Sequence, residues 1–162
     1  YRLAAFAQAN NLELIRQIGF GIHGLAMLAD NRDQLLVSVV KVFESTEPYE
    51  RERDVYLRLQ EAGATSLAGC SVPQFIGASD QHLTIWITLV DRPFCLDFAA
   101  AYLDGLPRYF PPMGEEWEAE KLAQFGAEDW SKVLRVLDEL ESYGIWPDGR
   151  YTDEHLSLTS RL

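Results

Sequence analysis

A lysine in the middle of an apolar, β-branched run, "LLVSVVKVF", is the residue of this sequence best suited to chemistry. Apart from Ser38, both alternating faces of the run are apolar, which predicts a strand covered on two sides with Lys41 within it. An ammonium so placed needs an anionic partner, or it must reach an edge along its own stem. Downstream, "ERERDVYLRL" sets Glu52, Val55, Tyr56 and Leu59 at i, i+3, i+4 and i+7. Glu52 therefore shares the apolar face of a helix, while Arg51, Arg53 and Arg58 point elsewhere. That makes Glu52 a partner for Lys41, with Glu50 as the competing candidate. Desolvating such a pair can exceed its Coulombic gain, which favours a functional reason for it.

A second pattern precedes the lysine. "IGFGIHGLAML" holds Gly19, Gly21 and Gly24 in an otherwise apolar run. Glycine reaches positive φ cheaply and lets a main chain approach a ligand, so the spacing suits a phosphate-binding loop or a plain turn or bulge. Near the end, "WPDGRYTDEH" places Asp148 and Asp153 in a turn-forming stretch. His23, His82 and His155 lie on scattered segments with no Cys or carboxylate at metal spacing, so no zinc site is expected. Neither a nucleophile elbow nor a local Ser-His-Asp or Cys-His signature is present.

These residues need elements to hold them. From Leu12 to Phe43 the runs "LELIRQIGF", "GLAMLAD" and "LLVSVVKVF", with "NRDQ" as a turn, predict three consecutive antiparallel strands with the glycines at the first hairpin. Glu47 to about Ala62 is expected to be helical, with a proline near its start, acidic residues in its first turn and Gly63 at its stop. "VPQFIGASD" and "HLTIWITLV" give a fourth and fifth strand. The fold class expected is α+β: a five-stranded antiparallel sheet with one packed helix, then a partial, mainly helical lobe. In that second part, "CLDFAAAYLDGL" is helical by propensity, and "PRYFPPMG" breaks the chain before a solvated acidic face, "EEWEAE". A last helix from Trp130 has Val133, Leu134, Leu137 and Leu140 at helical spacing, Asp129 as N-cap and Gly144 as stop.

Composition bounds the function classes. The 162 residues, 48% hydrophobic and 24% charged, suit one globular chain with a proper core. A net charge of −11 opposes binding to nucleic acid and to anionic membranes. No apolar run has the length of a membrane span, and "YRLAAFAQANN" lacks the features of a signal peptide. Cys70 and Cys95 form no CxxC and read as reduced thiols, so a cytoplasmic location is expected. The start at Tyr1, without methionine, is expected of a fragment.

In order of parts the chain resembles the protein kinase fold, over residues 12 to 103. "GFGIHG" follows the first strand, "SVVK" stands where that family has Val-Ala-Ile-Lys, "ERERDVYLRL" matches the helix bearing the lysine's partner, and "TIWITLVDRPF" resembles the strand running into the hinge. The resemblance implies a small lobe over residues 1–90, then a hinge and partial large lobe over 91–162. It implies that Gly19, Gly21 and Gly24 fold over the phosphates of ATP, that Lys41 contacts them and that Glu52 holds Lys41 in place. Leu89, Val90 and Asp91 would supply adenine hydrogen bonds from the hinge backbone, with Thr88 at its inner edge. Ala26 replaces the family's usual valine and Val39 its usual alanine, an exchange of bulk between two walls.

In the large lobe the pattern thins. Trp146 and Pro147 precede Asp148 where the family has histidine and arginine. With Asp148 as the base-like aspartate, Asp153 takes the asparagine's place and can hold Mg²⁺. In the other register Asp153 is the aspartate and Leu158 falls at the metal position. No Asp-Phe-Gly occurs before the last residue, Leu162. The functions implied are an ATP- and Mg²⁺-dependent phosphotransferase acting on a protein or small-molecule hydroxyl, or a non-catalytic, pseudokinase-like binding or regulatory module. A plain α+β interaction domain is the third reading.

Overall fold

The β-branched and alternating runs at the front of the chain become long strands in the computed structural model, which describes residues 1–21, 23–31, 36–91, 98–105 and 115–147. A short helix α1 (Arg2–Ala9) leads into β1 (Leu12–Gly21), β2 (Gly24–Asn31) and β3 (Leu36–Phe43). Helix α2 (Thr46–Glu61) follows, then a small hairpin of β4 (Ser66–Leu67) and β5 (Cys70–Ser71), and then β6 (Phe75–Ser79) and β7 (Thr84–Thr88). Beyond these come β8 (Tyr102–Leu103), α3 (Glu115–Phe125), α4 (Ala127–Ser142) and β9 (Ile145–Trp146). The fold is α+β, with one antiparallel five-stranded sheet in the order β1-β2-β3-β7-β6 and four helices among the described residues.

The central strand β3 is apolar on both faces because both are covered. Val39 and Phe43 look toward α2 and α4, in a core that also holds Val55, Leu59, Ile85, Ile87, Val136 and Leu140. Val40 looks the other way, toward Trp86 and Phe6. Ser38, the polar exception, is fully buried and donates to the Ala29 carbonyl while accepting from Trp86 Nε1 at 2.7 Å. That second layer corrects the expectation of one packed helix. Leu3, Phe6 and Ala7 have the i, i+3, i+4 spacing of a helix face, and α1 lays them on the sheet. Burying a phenylalanine there stabilises by about 1.5–3 kcal/mol.

Helix α2 spans nearly the range the sequence predicts. Glu52, Val55, Tyr56 and Leu59 are all buried on its inward face, as are Pro48 and Tyr49 in its first turn, while Glu50 is exposed. Gly63 at φ +66° ends it, and the Ala64 amide donates back to the Leu59 carbonyl at 2.9 Å, which closes the last turn.

The later part departs further from expectation. In the stretch read as helical from "CLDFAAAYLDGL", residues 98–105 form a turn and the strand β8 instead. Phe98, Ala99 and Ala101 are drawn into the main core, and β8 pairs with β9, so tertiary burial overrides alanine's helix propensity. Helix α4 starts at Ala127 with Gly126 as its cap residue, which places Asp129 in the first turn rather than at the cap. Trp130, Val133, Val136 and Leu140 are its buried stripe, and Leu134 and Leu137 pack partly against the same core. Glu116 and Glu120 of α3 are exposed, as a solvated acidic face requires. One apolar cluster thus joins the sheet, α2 and α4. No helix among the described residues is long and apolar enough to cross a membrane. The proline-rich connection at 107–114 and Cys95 lie outside the described residues.

Candidate functional site

Strand register decides what surrounds Lys41. It pairs with Ala26 on β2 and with Ile85 on β7, and Ala26 in turn pairs with Gly19 on β1. Gly19, Ala26, Lys41 and Ile85 therefore form one row across four strands, with their side-chain positions on the face that α2 covers. Val39, two residues back on the same face, pairs with Leu28 and Ile87. The Ala26/Val39 exchange noted in the sequence thus falls on diagonal neighbours, and the small residue is the one beside the lysine.

Glu52 completes the geometry. Its Oε2 lies 2.5 Å from Lys41 Nζ, and the two side chains are 5% and 21% exposed. Lys41 Nζ also sits 4.9 Å from the centroid of the Phe43 ring, whose face favours a cation. The result is a fixed ammonium that keeps a path to solvent: a point charge suited to an anionic ligand. Between the two sequence candidates, the structure brings Glu52 to the lysine and leaves Glu50 at the surface.

The start of α2 is anchored by Tyr49 and Asp80, which the sequence did not single out, and by Arg53. Tyr49 Oη donates to Asp80 Oδ1 at 2.5 Å, and Arg53 Nη1 donates to the same oxygen at 2.8 Å. Burial, followed by the hydrogen bond to Asp80, pushes the Tyr49 phenol up to about 12. The bond from Tyr49 and then that from Arg53 hold Asp80 below the usual carboxylate range. Arg53, held on Asp54 first and on Asp80, is raised above its ordinary value. The signal available was the tyrosine one position after Pro48; its partner, 31 residues away in the β6–β7 turn, has no mark in sequence.

The glycines divide. Gly19 follows a bulge in β1, where Ile18 is the extra residue between the pairs Gln17–Met27 and Gly19–Ala26. Gly21 pairs with Gly24 at the hairpin end. Gly24 has a reason within the sheet: a Cβ there would lie 2.0 Å from the Val42 carbonyl oxygen. That glycine serves close strand approach whether or not a ligand binds.

Leu89, Val90 and Asp91 continue from β7 without regular structure, and Leu89 and Asp91 are exposed. Thr88 at the strand end is tied to Gln74, whose amide donates to its Oγ1 at 2.8 Å. Asp148 and Asp153 lie outside the described residues, so the row, Glu52 and the strand β7 end make up the site as described. Among the described residues no group of three His, Cys, Asp or Glu side chains is placed to hold a metal ion. No protein-family model, curated protein or solved structure matches the chain.

Proposed function

We propose that this chain carries a protein-kinase-like nucleotide site, in which Lys41, held by Glu52, receives the phosphates of ATP under the β1–β2 hairpin. The observation that carries the reading is the Lys41–Glu52 pair, at 2.5 Å on the row that begins at Gly19. A buried carboxylate fixes the ammonium's position before any ligand arrives, which lowers the ordering cost of binding. Gly19 and Ala26 are small and only partly buried, so the residues present fit a phosphate group. The backbone of 89–91 is the hydrogen-bonding edge available to a base. With Asp148 as the base-like aspartate, Asp153 is the residue that would hold Mg²⁺, which supplies charge neutralisation for a phosphoryl group when bound.

Two activities follow from such a site: phosphotransfer to a hydroxyl of a protein or small molecule, and nucleotide-gated binding without chemistry. The second is favoured by Trp146 and Pro147, which occupy the places of the family's histidine and arginine before Asp148. Both begin with nucleotide binding. Thermal denaturation with Mg²⁺ and ATP tests that shared step. At 100 times the dissociation constant a ligand adds about 2.7 kcal/mol, which for a chain of this size raises Tm by about 5–10 °C. A Tm unmoved by millimolar Mg-ATP overturns the reading.

A further inference from the structure

Residues 98–105 run beside α2 and touch it at three places. Phe98, 4% exposed, meets Tyr56 edge-on with ring centroids 5.6 Å apart. The Arg51 guanidinium lies 5.1 Å from the centroid of the Tyr102 ring. Arg58 binds Asp104 through both carboxylate oxygens, at 2.6 and 3.1 Å. Arg51 and Arg58, seven residues apart, lie on one side of α2 next to the face that carries Glu52 and Tyr56.

The other side of the same stretch is bound to the end of α4 and to β9. Tyr102 pairs with Trp146 and Leu103 with Ile145, and the Asp104 amide donates to the Gly144 carbonyl at 2.8 Å. Gly144, at φ +70°, is where these parts close on one another: a Cβ there would come within 2.9 Å of Arg58 Nη1 and 3.2 Å of Asp104 Oδ1. A single exposed ion pair is worth little. Here the pair sits at the end of a row of contacts that joins one helix to a two-stranded ladder.

We propose that residues 98–105 are a strap that fixes α2 to the α4–β9 end of the chain, with Arg58 and Asp104 as positioning residues for Glu52 and so for Lys41. Its functional half rests on the nucleotide reading; its structural half rests on the contacts alone. A small shift of α2 moves the carboxylate that holds the ammonium, and misplacement of such a group weakens whatever it positions.

The test uses the whole chain, unsubstituted and as Asp104→Asn and Asp104→Glu, with two readouts: the Mg-ATP dissociation constant and amide hydrogen exchange over α2 and β9. Asp104→Asn is expected to raise the dissociation constant about three- to tenfold and to speed exchange in both elements. Asp104→Glu, which keeps the carboxylate, restores most of both. An unchanged dissociation constant, with faster exchange confined to residues 102–105, overturns the proposal, since a merely local role moves Tm without moving affinity. If the unsubstituted chain binds no Mg-ATP, the nucleotide reading falls. The exchange arm still decides the strap: joint acceleration of α2 and β9 supports it, and a change limited to 102–105 overturns it.

Discussion

Lys41 Nζ and Glu52 Oε2 meet at 2.5 Å between β3 and α2, and the glutamate is the more deeply buried partner, 5% exposed against 21%. That asymmetry orders the costs of breaking the pair. Lys41→Met takes the ammonium from a nearly buried carboxylate and is expected to cost about 2–4 kcal/mol, whereas Glu52→Gln keeps a partly solvated ammonium and costs about 1–2 kcal/mol. Lys41→Met with Glu52→Gln removes both charges and recovers much of the loss. Urea denaturation of the three variants measures this. Additive losses in the double variant would show that the two residues do not act as a pair.

Gly24 and Gly63 predict different responses to alanine. At Gly24 a Cβ meets the Val42 carbonyl oxygen at 2.0 Å, so Gly24→Ala must push two strands apart, with an expected loss of at least about 2 kcal/mol. Gly63 has open space around it but φ +66°, so Gly63→Ala costs only the left-handed backbone strain, about 1 kcal/mol. The same denaturation experiment ranks them. An equal loss at both positions would refute the close approach at Val42.

Tyr49 makes stability fall in alkali. Its phenol is pushed up to about 12 from an ordinary 10, so the folded chain keeps a proton that the unfolded chain releases. The stabilisation is complete below pH 10 and is lost as pH rises through 10 toward 12. Tyr49→Phe abolishes this slope. Urea midpoints from pH 9 to 11.5, compared between the two chains, measure the difference; parallel curves would contradict the assignment.

Much of the sheet and the Glu52–Leu59 part of the inward face of α2 are legible in the sequence, because alternation and 3.6-residue spacing act locally. Glu52 is found that way, since its neighbours Val55, Tyr56 and Leu59 fix the helix phase. The structure assigns Gly24 to a reason the sequence shows only as spacing, because the atom it must avoid belongs to a strand 18 residues on. Residues 98–105 read as helix because alanine favours helix, yet their shape is set by Tyr56, Arg58 and β9, which are distant in sequence. Helix α1 has a local signal, the spacing of Leu3, Phe6 and Ala7, but it covers little more than one turn and does not mark a helix by itself. The Tyr49–Asp80–Arg53 cluster had no joint signal, being a product of how the β6–β7 turn meets α2.

The most direct test of the account is the Mg-ATP dissociation constant of the unsubstituted chain and of Lys41→Met, measured by calorimetric titration. A charge-assisted contact is worth about 1.5–3 kcal/mol, so saturable binding is expected to weaken about tenfold or more when the ammonium is removed. Glu52→Gln should weaken it less, because the ammonium remains and only its charged contact with position 52 is lost. Absence of saturable binding at millimolar Mg-ATP, or one dissociation constant shared by the unsubstituted chain and Lys41→Met, would contradict the account.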